Sequence, residues 1–239
     1  MNPPNQTATP TRILTVLLAL DCVLITLHVA THATPVFDLD AEANVPTWVS
    51  SAKLLIIAGL ALFNWDGERR DPALRHRWLW LGVALLFTAM SLDETASLHE
   101  RAARALVAHG PARNLRATLL GGDSAKDSFA WVVLFAPLAL AAIFFLVGFA
   151  WTRRQRLRRV APFGLAGLAC YVGAMVLEPA AVYFSPAMAT WDAVARRRYQ
   201  RFSTIEETLE IVGTTLLVFT VLTYSHSLRA RQATAPPAP

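Results

Sequence analysis

The chain has 239 residues, of which 54% are hydrophobic and only 16% charged, and it carries a formal net charge of +5 at pH 7. That balance excludes an ordinary soluble domain and a disordered polyelectrolyte, and it places the chain among polytopic membrane proteins. The positive charge does not point to nucleic acid, because the arginines fall in connections between apolar runs; the lipid bilayer and its anionic headgroups are the partners that such charge fits.

A membrane-crossing helix needs about 20 mostly apolar residues. Six stretches qualify, at 13–31, 47–64, 77–97, 129–151, 160–184 and 206–225. Trp48, Trp65, Trp78, Trp80, Trp131 and Trp151 fall near their ends, where amphipathic indoles favour the headgroup layer. The predicted architecture is all-α: one polytopic membrane helix bundle of about six transmembrane helices over 12–228. Proline-containing tails at 1–11 and 229–239 have little to bury and are read as disordered.

The first stretch follows Arg12 and loosely imitates a secretory signal, but its length and its Asp21 and His28 argue for a retained helix. The loop at 32–46 has acids and no Lys or Arg, and the second stretch carries Lys53. The third ends in Ser91-Leu92-Asp93-Glu94-Thr95, followed by His99 and Glu100. An outer loop at 98–128 opens with an amphipathic run that Gly110-Pro111 stops; it is read as a helix on the membrane surface or as a solvated cap. Between the fourth and fifth stretches lies the short, densely basic run Arg153 to Arg159. By the positive-inside tendency it puts both termini in the cytoplasm of a multi-pass cell-membrane protein. The fifth stretch has small residues at Gly164, Gly167 and Gly173 for close packing, then Glu178-Pro179, where the helix is expected to kink or loosen. The sixth opens with Thr204-Ile205-Glu206-Glu207-Thr208, then Glu210. Cys22 and Cys170 stand alone in apolar runs and read as packing residues.

Carboxylates are costly in lipid, so these acids mark a candidate site. By helical rise Glu94, Glu178 and His28 lie roughly 23–27 Å from the cytoplasmic ends, and Lys53 and Glu210 roughly 6–9 Å from the outer ends. All five therefore belong to the outer third of the layer. Helical spacing also groups Asp93, Ser97 and Glu100 on one stripe, and Glu206 with Glu210 on another.

Two chemistries compete. Glu94, His99, Glu178, Glu207 and Glu210 as metal ligands would hold iron, manganese or zinc in an enzyme acting on a lipid or other apolar substrate, with His28, Lys53, Asp93, Glu100 and Glu206 lining the cavity. Alternatively the acids share protons in a proton- or solute-coupled transporter, with Asp21 as a deeper station and Lys53 as counter-ion. A non-catalytic accessory role stands beside them, as does a structural reading: Asp93 with Arg101 or Arg104, and Glu206 or Glu207 with Arg201, as ordinary ion pairs at helix ends, with isolated histidines such as His28 doing nothing more. A hydrolase built on Ser91 or Ser97 with His99 is disfavoured, because serine, histidine and acid so close along one helix do not converge. No Gly-rich phosphate loop, Gly-x-Ser-x-Gly or His-Glu-x-x-His motif is present.

Overall fold

The computed structural model describes residues 8–31, 34–41, 43–69, 76–110, 112, 114, 130–183 and 193–234. Its elements are helices, with no strand among the described residues: α1 (Ala8–Ala30), α2 (Val45–Glu68), α3 (Leu79–Ala96), α4 (Leu98–His109), α5 (Trp131–Thr152), α6 (Arg154–Leu157), α7 (Ala161–Tyr183) and α8 (Ala193–Thr234). Of these, α1, α2, α3, α5 and α7 are long and apolar enough to cross a membrane. Their exposed side chains agree: Leu138 and Phe144 of α5 and Leu165 and Val176 of α7 point outward, a surface that lipid solvates and water would not.

The sixth expected stretch is an inner segment of α8, whose 42 residues span about 63 Å at 1.5 Å per residue, twice a hydrocarbon layer of about 30 Å. Arginines and glutamates in its first half dilute its apolar character, leaving 211–228 free of Asp, Glu, Lys and Arg. It still accompanies the spans through their depth. His28 and Asp21 of α1 meet Thr204 and Thr215, an antiparallel pairing. Lys53 of α2 meets Ile211, while Gly67 lies against Leu228, a parallel one. α8 is thus the axis on which α1, α2 and α7 pack.

Small residues set the tightest contact. A Cβ on Gly167 would stand 2.9 Å from the Gly213 carbonyl oxygen, and one on Gly213 2.9 Å from the Cys170 Cβ, so the α7 and α8 backbones touch here and neither glycine tolerates a side chain. The predicted close approach of the fifth stretch is met, with α8 as the neighbour. α7 runs through Pro179 to Tyr183, so the helix does not end at the proline. α8 likewise continues beyond 228 to Thr234, into the expected tail, because Leu228 packs at Gly67 and Gln232 Nε2 donates to the Gly67 carbonyl at 2.9 Å.

The apolar core lies between α2, α3 and α8, where Leu54, Ile57 and Ala61 meet Val83, Phe87 and Val218. α2 starts where Asn44 accepts a hydrogen bond from the Thr47 amide and Pro46 occupies the first turn. α3 ends at Ser97, whose φ of 46° is left-handed, and the chain re-enters helix at once as α4. α4 buries Ala103 and Val107 against Ala130, Trp131 and Leu134 at the start of α5, so the expected amphipathic helix exists and its apolar face covers protein. Most of the second segment expected in that loop, at 112–120, lies outside the described residues, as do the tail residues 1–7 and 235–239.

Candidate functional site

Three polar assemblies are stacked along the bundle. The first lies at the face opposite the amino terminus. The left-handed turn at Ser97 folds α4 back, so that the Asp93 carboxylate accepts from the His99 amide at 2.8 Å and pairs with His99 Nδ1 at 2.6 Å. Asp93 thereby serves the first turn of α4 and orients the imidazole. The His99 ring sits edge-on to Trp131, 4.5 Å between centroids, and the Trp131 indole donates to Glu178 Oε1 at 2.6 Å. Burial pulls the His99 pKa down, but the hydrogen bond and charge of Asp93, helped by Glu178 and Glu100, outweigh it and hold the imidazole above its ordinary value.

Further acids gather beside this pair. Glu206 lies within charge range of Glu178, Glu210, Asp40 and Glu100, and Glu207 within range of Glu210, Glu94 and Glu206. Asp40, in the loop before α2, accepts from Ser203 Oγ at 2.7 Å. Burial raises its pKa above the usual carboxylate value against that hydrogen bond, and the charges of Asp38 and Glu100 add to the rise. Tyr171 of α7 donates to Thr214 Oγ1 at 2.6 Å, because the Thr214 hydroxyl itself donates to the Glu210 carbonyl.

The second assembly is deeper. Lys53 Nζ donates to Asp21 Oδ1 at 2.9 Å, to the Ile211 carbonyl at 3.0 Å and to Thr215 Oγ1 at 3.3 Å, while the Thr215 hydroxyl donates to Asp21 Oδ2 at 2.6 Å. Every ammonium proton and both carboxylate oxygens are used. Lys53 is 2% exposed and Asp21 1%, and Glu94 of the outer acids is within charge range of Lys53.

The third assembly closes the amino-terminal face. Arg153 grips Glu68 with two bonds, Nε to Oε1 at 2.9 Å and Nη2 to Oε2 at 2.7 Å. The Trp80 indole donates to Glu68 Oε1 at 2.8 Å, and the Tyr224 hydroxyl donates to the same oxygen. Arg153 also reaches the His76 carbonyl at 2.9 Å, and its guanidinium lies 4.5 Å from the Phe149 ring centroid. One bidentate pair, completely buried at Glu68, thus ties the ends of α2, α3 and α5 to α8.

A family model described as "Domain of unknown function (DUF8692)" matches residues 12–225. The chain belongs to that family. No curated protein and no solved structure matches it.

Among the ten residues singled out in the sequence, Glu94, Glu178, Glu206, Glu207 and Glu210 lie within charge range of one or more of the others, and His99, Glu100 and Asp93 sit beside them. Lys53 belongs to the deeper pair. His28 Nδ1 lies 3.0 Å from the Leu39 amide and 3.4 Å from Asp38 Oδ1, and its Nε2 hydrogen-bonds with Thr204 Oγ1 at 3.0 Å, so the imidazole ties the first loop to α8. Several expectations fail for a stated reason. The left-handed Ser97 breaks the helix, so Asp93, Ser97 and Glu100 share no stripe, and Asp93 pairs with His99 instead of Arg101 or Arg104; Arg104 approaches Glu100 at 3.7 Å. Ser91 exchanges hydrogen bonds with Ser51 across the α2–α3 contact and plays no part with His99. Among the described residues no group of three or more His, Cys, Asp or Glu side chains is arranged to hold a metal ion. His99 Nδ1 is held by Asp93 and Glu178 Oε1 by Trp131, so Nε2 and Oε2 are the atoms that these two expected ligands would offer.

Glu68 and Arg153 do not stand out in the sequence. The second apolar run ends at Asn64, so Glu68 reads as charge in the connection that follows it. The signal lay in spacing: Lys53, Asn64 and Glu68 fall on one helical face.

Proposed function

We propose that the protein is a proton-coupled membrane transporter, in which the acids at the face opposite the amino terminus take up protons and pass the change in charge to the Lys53–Asp21 pair. One observation carries this reading: an ion pair with both partners buried among spanning helices, within charge range of Glu94. A charged pair at such depth is expensive and is by default functional. When Glu94 and its neighbours are charged they compete with Asp21 for the ammonium; protonating them leaves Lys53 wholly to Asp21. The pair is therefore a two-state element biased by proton occupancy above it. The apolar layer of Ile57, Ala61, Val83, Phe87 and Val218 beneath it favours coupled movement over an open channel.

The basic connection at 153–159 supports a cytoplasmic amino-terminal face in a cell membrane. Arg69 over Trp65, Arg77 over Trp78 and Arg154 over Trp151 support contact of that face with anionic headgroups. The metal-dependent enzyme is not carried forward, since no ligand arrangement among the described residues favours it. The test is purified protein in liposomes with an entrapped pH dye and an imposed pH gradient. Proton movement above that of protein-free liposomes is expected; its absence, with or without candidate solutes, leaves an accessory role ahead.

A further inference from the structure

α2 buries one polar-apolar stripe through the whole bundle: Lys53, Ile57, Ala61, Asn64 and Glu68. Lys53 and Glu68 are fully paired. Asn64 is not: it is completely buried, and neither its Nδ2 nor its Oδ1 meets a hydrogen-bond partner among the described residues. A primary amide has two donor hydrogens and an acceptor oxygen, and buried polar groups in native proteins are satisfied by protein or by internal water. A second bare group lies at the same level. Thr223 Oγ1 is buried without a partner among the described residues, and the parallel register of α2 and α8, fixed by Lys53 on Ile211 and Gly67 on Leu228, sets Thr223 level with Asn64. The next residue, Tyr224, donates to Glu68 and lines a small surface cleft with Arg156, Ser227, Leu228 and Arg231.

We propose that Asn64 and Thr223 bind internal water that extends this cleft one helical turn past Tyr224 and Glu68, forming the amino-terminal end of a proton route whose other end is the Lys53–Asp21 pair. Water is the ligand class that fits two neutral polar groups inside a packed bundle, since a charged ligand would meet no counter-charge at Asn64 itself. Asn64 lies one turn from Glu68 but about 16 Å along α2 from Lys53. The intervening Ile57 and Ala61, packed on Val83 and Phe87, keep the two wetted ends apart. The use of this water rests on the proton-coupled reading; its presence does not.

Hydroxyl-radical footprinting of the full chain in lipid nanodiscs marks side chains beside bound water. Tyr224 is expected to oxidise several-fold faster than Phe87, which is equally buried in the apolar layer; Asn64→Leu should remove the excess, and Asn64→Ser, which keeps a small polar group, should retain it. Equal rates in the wild type, or an excess that survives Asn64→Leu, overturn the proposal. Should Asn64→Leu fail to fold, the wild-type comparison and Asn64→Ser decide: an excess in both upholds the site, and equal rates in either reject it. Liposome flux separates the two readings. No flux in the wild type removes the transporter and leaves the footprint to judge the water, whereas wild-type flux that persists in a folded Asn64→Leu variant rejects this water as part of the route.

Discussion

The two faces of the bundle handle charge in opposite ways. At the amino-terminal face Glu68 is matched by one guanidinium, and its oxygens take bonds from Arg153, Trp80 and Tyr224. At the opposite face Glu94, Glu178, Glu206, Glu207 and Glu210 lie near one another and near an oriented imidazole, His99. A neutral, satisfied assembly holds helix ends in place; a group of neighbouring acids repels itself and gains from taking up protons. On the proton-coupled reading, stability and proton chemistry fall to separate ends, with the Lys53–Asp21 pair between them.

Breaking this contrast starts with the seal. Arg153→Leu leaves Glu68 buried without its counter-charge and is expected to destabilise the protein by about 3–5 kcal/mol, whereas Glu68→Leu combined with Arg153→Met recovers only part of the loss, because Trp80 and Tyr224 then lose their acceptor. Denaturant or thermal unfolding in detergent reads both; a single variant as stable as the wild type would deny the seal its structural role. Next in size, Asp21→Asn removes the charge facing Lys53 and should cost about 2 kcal/mol while stopping proton movement, because the buried ammonium loses its counter-charge but keeps its hydrogen bonds to Ile211, Thr215 and the amide oxygen. The acid pocket should respond with the other sign. Glu207→Gln relieves repulsion from Glu210, Glu94 and Glu206 and is expected to raise stability by about 1 kcal/mol while reducing proton uptake, the usual exchange of stability for function at a strained site. A destabilised Glu207→Gln would make the pocket structural.

The smallest effect is a pH dependence. The folded His99 pKa lies above its unfolded value, so the charged pair with Asp93 contributes in full below about pH 6.5, the ordinary histidine value, and its contribution fades as pH rises through the folded value. Melting temperature measured across that interval should fall with rising pH in the wild type and change less in His99→Gln. Identical profiles would detach His99 from the pocket's charge balance.

Much of this was legible in the chain. Five spans, the close helix approach at Gly167 and the gathering of acids at one face follow from hydropathy and helical rise, which are local properties. The Asp93–His99 pair was not legible, because it depends on a left-handed residue at Ser97 that serine does not announce. Glu68 and Arg153 were hidden for a different reason: each stands at the end of an apolar run and reads as loop charge until packing brings the two ends together. The partner of Lys53 lies 32 positions away along the chain, on another helix, so no spacing along α2 reveals it.

The most direct test of the account is proton flux into liposomes containing Glu207→Gln protein, measured beside its melting temperature. Flux should fall to the protein-free level while the melting temperature holds or rises. Undiminished flux in that variant, or a loss of flux that only tracks unfolding, would contradict proton coupling through the acid pocket.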